Sequence, residues 1–182
     1  MPCFPRSFIY RSAYRLALFL GCLIVFSFSA RAQTGIYASF SSSDFNTPNV
    51  GRQNGATFGL YHDAFHLPFI RIGLDARATL LGSDSTSVYA GYIGPHIQLH
   101  PHVIPFMPYI EGLVGAGHVD VGQGVAADDK TAFAYEGVVG LDWTLLPRFD
   151  WRVLEYSFGS FSGLNAPVSP RTLSTGVVLR LP

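Results

Sequence analysis

The side chains best suited to chemistry in this sequence are its histidines and a set of carboxylates spaced against arginines. His96, His100 and His102 fall in PHIQLHPHVIP. His100 and His102, two apart, would share one strand face, as a pair of metal ligands must. Pro101 separates them and no carboxylate stands nearby, so the metal assignment is none. His118-Val119-Asp120 is the other candidate, with Ser83, Ser85 and Ser160 in neighbouring polar stretches. Hydrolysis by a serine needs a histidine to take its proton and a third group to orient that histidine. No serine stands two positions beyond His118, and no catalytic residue is assigned. Gly112-Leu113-Val114-Gly115-Ala116-Gly117 has neither the spacing nor the following helix of a nucleotide-binding loop, and no cofactor is expected.

The charged residues obey a period of two, which belongs to strands. In PFIRIGLDARATLLG, Arg71, Gly73, Asp75, Arg77 and Thr79 share one face, while Ile70, Ile72, Leu74, Ala76, Ala78 and Leu80 share the other. TAFAYEGVVGLDWTLL splits likewise, with Glu136 and Asp142 opposite Phe133, Tyr135, Val139, Leu141, Trp143 and Leu145. Eight such segments follow one another: 34–41, 55–62, 68–82, 87–99, 105–119, 131–146, 149–159 and 171–181. Glu111, Glu155 and Arg180 take the polar parity in their segments. Arg152 falls on the parity opposite to Glu155, which implies snorkelling at a rim or a β-bulge. Polar stretches at 42–54, 82–86, 120–130 and 160–170 alternate with connections at 62–67, 99–104 and 146–148 that are shorter on average.

The first residues set the compartment. Arg6, Arg11 and Arg15 precede the apolar run LALFLGCLIVFSFS, and Ala30-Arg31-Ala32 has the small-residue spacing of a signal-peptidase site. Residues 1–32 are therefore expected to be a cleaved signal peptide and 33–182 the mature domain. Cys3 and Cys22 would leave with the leader, and so would four basic residues, Arg6, Arg11, Arg15 and Arg31. Eight basic and twelve acidic residues remain, a net charge of −4 that gives no surface for nucleic acid. Charged residues make up 13% of the chain, about half the usual quarter.

That scarcity of charge decides between two β architectures. A soluble barrel would turn the polar face to water, but here that face is mostly Gly, Ala and Ser with isolated charges. The same face suits the lumen of a narrow membrane barrel, where small residues make room for a few long ionic ones. The predicted fold is an all-β, eight-stranded antiparallel up-and-down transmembrane barrel. Its lumen is expected to hold a structural ionic network of Arg71, Asp75, Arg77, Glu111, Glu136, Asp142, Glu155 and Arg180, since buried charge is tolerable only when paired. Aromatics near strand ends, among them Phe69, Tyr135, Trp143, Phe149 and Trp151, suit the two membrane interfaces.

A signal peptide, eight alternating segments, PYIEGLVGAG near mid-chain and a closing VVLRL resemble the small outer-membrane barrels of Gram-negative bacteria, the OmpA-type and Opa-like, porin-like transmembrane domains. The resemblance covers residues 33–182 and rests on pattern. It implies insertion by the barrel assembly machinery, termini in the periplasm and extracellular loops at 42–54, 82–86, 120–130 and 160–170. The chain departs from the family at Leu181-Pro182, where a terminal aromatic is usual. The expected function is a non-enzymatic surface scaffold in contact with lipopolysaccharide or an extracellular ligand. A lipid A-modifying enzyme is one alternative, although the His-x-Ser arrangement of the lipid A deacylases is missing. A narrow ion or solute channel is the other.

Overall fold

A period of two leaves each segment with one face for each of two environments, and closing the segments on one another leaves no unpaired edge. The structure, a computed structural model, describes residues 33–45, 52–83, 86–101, 103–121, 130–162 and 169–181. Residues 1–32, 46–51, 84–85, 122–129 and 163–168, and His102 and Pro182, lie outside the described residues; the expected signal peptide falls wholly among them. Eight strands form the fold: β1 (Gln33–Asp44), β2 (Gln53–His66), β3 (Ile70–Ser83), β4 (Thr86–Leu99), β5 (Phe106–Val121), β6 (Lys130–Leu146), β7 (Phe149–Ser162) and β8 (Arg171–Leu181). Each pairs antiparallel with its neighbours in sequence, and β1 pairs with β8 to close a barrel.

Most strands run further than the alternation alone suggested. β1 continues to Asp44, β2 to His66 and β7 to Ser162. Cross-strand pairing carries these polar ends, as where Ser42 sits opposite Asn54 and their side chains bond at 2.7 Å. At the end of the barrel that holds both described termini, two of the three connections are tight. Leu67 N–H bonds Ile70 C=O at 2.8 Å to close the β2–β3 turn, and Pro147-Arg148 alone separates β6 from β7.

The two faces separate cleanly. Ile36, Leu60, Ala76, Ile93, Val114 and Tyr135 form one row across β1 to β6, and all point outward. Large apolar side chains that would be buried in a soluble protein are open on this wall, Ile93 at 54% and Phe69 at 63%. Among the described side chains, the outer wall carries no Asp, Glu, Lys or Arg between two rims. One rim holds Asp44, Arg52 and Arg171, and the other holds the Arg148 turn. Burial is instead given to charge: Asp63, Asp75, Asp142, Asp150 and Arg152 are all fully enclosed. This inversion defines a membrane-spanning β-barrel, because lipid solvates the apolar wall and every strand satisfies its backbone on both sides.

Irregularities sit where the alternation breaks. The β6–β7 register shifts between Leu141 and Asp142, and the β7–β8 register shifts between Arg152 and Glu155. The second shift resolves the parity conflict in β7. A bulge turns Arg152 and Glu155 into the lumen together, so Arg152 does not snorkel at a rim.

Placing a guanidinium on the lipid wall tests this orientation. Ile93→Arg should destabilise the folded barrel by about 2–4 kcal/mol, the cost of a cation near the bilayer midplane. Ile93→Leu should change little. Chemical denaturation in phospholipid vesicles measures both.

Candidate functional site

The lumen is filled in three tiers. The central tier is built around two guanidiniums. Arg77 on β3 bonds Asp75 at 3.0 Å, Glu155 at 3.2 Å, and Glu111. Arg152 on β7 bonds Asp142 at 3.1 Å and Glu155 at 2.9 Å. Four carboxylates face two arginines here, and further side chains share the remaining acceptor capacity. Tyr37 donates to Asp75 at 2.9 Å and Tyr109 to Glu155 at 2.6 Å, and His96 Nδ1 lies 2.8 Å from a Glu111 carboxylate oxygen. The Arg152 guanidinium lies between two rings, 4.1 Å from the Tyr37 centroid and 4.6 Å from that of Tyr109. Tyr61 stacks on His96 at 4.8 Å.

Backbone pairing makes room for these rings. Tyr37 faces Gly59 in register, and Tyr109 faces Gly140. A methyl group at either glycine would overlap the tyrosine ring lying across it. The rings can therefore lie down over the neighbouring strand and aim their hydroxyls at the carboxylates, as in aromatic rescue of glycine in sheets.

The tier toward the longer loops has two unlike halves. Hydroxyls on β8, β1, β2 and β3 bond one another, with Ser41 to Thr57 at 2.8 Å, Ser41 to Ser174 at 2.9 Å and Thr172 to Ser43 at 2.9 Å. Across from them, Leu81, Val88, Leu113, Val138 and Phe161 belong to an apolar cluster. At the opposite end, Arg180 pairs with Asp150 and donates to Thr144 at 3.0 Å. Arg71 there bonds Gln33 and lies 4.0 Å from Asp63.

The eight residues read from sequence as one network are thus distributed. Arg77, Asp75, Glu111, Glu155 and Asp142 belong to the central cluster, the last through Arg152. Arg71 and Arg180 belong to separate pairs near the tight-turn end. Glu136 accepts a hydrogen bond from Ser157 and stands beyond ion-pair reach of a described guanidinium. The sequence reading left out Arg152, Tyr37, Tyr61, His96, Tyr109, Asp63 and Asp150. Their parity was visible for the tyrosines, but nothing local indicates that a phenol will meet a carboxylate on another strand.

His96 and His100 do not come together. His96 is buried in the lumen, whereas His100 sits at the tight-turn end with its Nδ1 3.0 Å from the Met107 sulfur. No group of three or more metal-binding side chains occurs among the described residues. His118 faces outward near the longer-loop end of β5, opposite Tyr89 on β4 and Thr131 on β6.

The aromatics sit at the ends of the apolar wall. Trp143 packs between Phe106, at 5.4 Å, and Trp151, at 6.0 Å, and Trp151 donates to Thr175 at 3.3 Å. Phe69 and Phe149 lie at the same end, and exposed Tyr135 lies toward the other.

This architecture, an apolar wall around a polar and occupied lumen, is that of the small outer-membrane β-barrels. No protein-family model matches the chain, and no curated protein sequence matches it. Solved structures do resemble it. Neisserial surface protein A superposes with a TM-score of 0.54 at 16% identity, covering 81% of this chain and 96% of that one. Ail, the attachment invasion locus protein of Yersinia pestis, gives 0.51 at 14% identity over 82% of this chain and 97% of its own. The outer membrane enzyme PagL gives 0.50 at 13% identity, over 80% and 98%. At such identities the likeness is one of fold.

Removing one partner from the central cluster leaves buried charge uncompensated. Arg152→Met should lower stability by about 3–5 kcal/mol. Adding Asp142→Leu should recover part of that loss, because the double variant no longer strands the Asp142 carboxylate. Urea unfolding of wild type, Arg152→Met, Asp142→Leu and the double variant measures the coupling.

Proposed function

We propose that the chain is an exported outer-membrane scaffold of a Gram-negative bacterium. In this reading residues 1–32 are removed, the barrel assembly machinery inserts residues 33–182, and the termini face the periplasm. The connections within 42–54, 82–86 (only two residues there lie between β3 and β4), 120–130 and 160–170 then meet lipopolysaccharide, other cells or an extracellular ligand. The observation that carries it is the lumen. Apart from Glu136, its described charged groups are engaged with one another in ion pairs, most of them across strands, and one half of the tier beneath the longer loops is apolar. Such a barrel is a rigid support, and recognition belongs to what it carries.

The fold shared with PagL keeps a second reading in view, since that protein is an outer membrane enzyme. Here the outward histidine, His118, has a threonine, Thr131, opposite it on β6. The central carboxylates are held by arginines, tyrosines and a histidine, with none set against a nucleophile. Loss of acyl chains from lipid A on expression, abolished by His118→Ala, would favour catalysis over the scaffold.

A heat-modifiability gel on outer-membrane fractions tests the location. The folded barrel should migrate differently before and after boiling, and recovery as a soluble periplasmic protein would overturn the assignment. Planar-bilayer recording separates scaffold from channel. The wild-type barrel should show no unitary steps, and steps altered by Arg77→Ala or Glu136→Ala would favour a channel.

A further inference from the structure

Met107 is the only methionine after the first residue of the chain. It is the second residue of β5 and points into the lumen at the tight-turn end, where it is buried. Its sulfur lies 3.0 Å from His100 Nδ1 and 3.9 Å from the Thr144 hydroxyl. That hydroxyl in turn accepts from Arg180 at 3.0 Å, and Arg180 is paired with Asp150.

The backbone pins both partners of the sulfur–imidazole contact. His100 N–H donates to Phe69 C=O at 2.8 Å just after β4 ends, and Met107 pairs in register with Asp142 of β6. Residues 100–105 connect β4 to β5, and Pro105 C=O accepts from Thr144 N–H at 2.9 Å. An imidazole and a thioether are thereby presented to each other from the two ends of one connection. Beside them opens a recess of about 490 Å³, lined by His100, Met107, Thr144 and Arg180 and by Val103 and Ile104 of the connection. No carboxylate lines it among the described residues.

We propose that His100 Nδ1 and Met107 Sδ bind one Cu(I) ion. Thioether sulfur selects this soft ion, and imidazole is a ligand for copper as well. When the ring proton sits on Nε2, the Nδ1 lone pair faces the lone pairs of the sulfur, and a cation between them turns that repulsion into two bonds. A slight opening of the pair admits the ion, which the unbranched methionine side chain allows. Divalent ions are served less well. Ca(II) and Mg(II) take oxygen ligands, and Zn(II) takes more nitrogen or charged donors than this pair offers. The nearby Arg180 guanidinium also repels a double charge more than a single one. The recess gives the ion a way in from the mouth of the barrel. The pair depends on the described strands alone, whereas its opening to the periplasm rests on the outer-membrane reading above.

The test uses Ag(I), an air-stable closed-shell ion of the same charge, and Cu(I) in the absence of oxygen. The full chain is expressed with isotope-labelled methionine methyl groups, purified and placed in phosphatidylcholine nanodiscs. With residues 1–32 removed, Met107 is the only source of that signal, and Cys3 and Cys22 are gone as competing thiols. Met107→Leu assigns the signal. Ag(I) should shift it and saturate at one ion per barrel, and Zn(II) should leave it in place. Competition with a chromogenic Cu(I) chelator reads affinity. Met107→Leu and His100→Gln should each weaken Cu(I) binding by at least about 100-fold, since even a residue that only supports a ligand is worth roughly 10–100-fold. His62→Gln, whose ring meets Thr34 instead, should match wild type. A Met107 signal unmoved by excess Ag(I), or unchanged Cu(I) affinity in either ligand variant, overturns the site. A response to Zn(II) equal to that to Ag(I) overturns Cu(I) as its ion. A gel shift on boiling, run on each sample, separates these outcomes from failure of the barrel to insert, which would instead overturn the outer-membrane reading.

Discussion

Everything in this barrel depends on keeping ionised groups out of lipid by giving them to one another. Arg77 reaches from β3 to carboxylates on β5 and β7, and Arg152 ties β7 to β6. Tyr37 and Tyr109 extend the same cluster to β1 and across the lumen. Desolvating these charges is expensive, and the cost is offset only because each guanidinium meets more than one carboxylate and an aromatic face. Six of the eight strands contribute a member to the cluster. A narrow barrel closed by backbone hydrogen bonds alone would be hollow, whereas this one is braced.

The brace also limits what the interior can do. A catalytic carboxylate needs a free lone pair near a substrate, and a pore needs continuous water. The central carboxylates spend their lone pairs on arginine, tyrosine and histidine. On one side of the adjoining tier, apolar side chains pack against each other. On the scaffold reading proposed above, recognition falls to the loops that the barrel carries. The likeness to Neisserial surface protein A and to Ail is one of fold, a common frame with little common sequence.

How much of this could be read beforehand differs by residue. Arg71, Asp75 and Arg77 share a face in any strand, so their common side followed from spacing alone. The partners did not follow, because Arg77 meets Glu111 at a separation of 34 residues and Glu155 at 78. Arg152 shows the limit most clearly. Its parity is wrong for the lumen, yet a bulge between it and Glu155 makes it the residue enclosed by two tyrosine rings. A bulge is a property of two strands in register, and one strand read alone does not contain it. His96 and His100 show the converse. They are close in sequence, but β4 carries His96 into the lumen while His100 stays at the tight-turn end.

By itself, then, the sequence determined the number of strands, the parity of nearly every side chain and the inversion of polar and apolar faces. These depend on a period of two and on composition, both of them local. Only the tertiary structure decided which charge meets which, where the bulges fall, that tyrosines lie over glycines across the strand, and that two arginines and an aspartate gather at one rim. Each of these is set by closure of β1 on β8 and by the register of the strands between. Register is a long-range quantity, settled by all eight strands together.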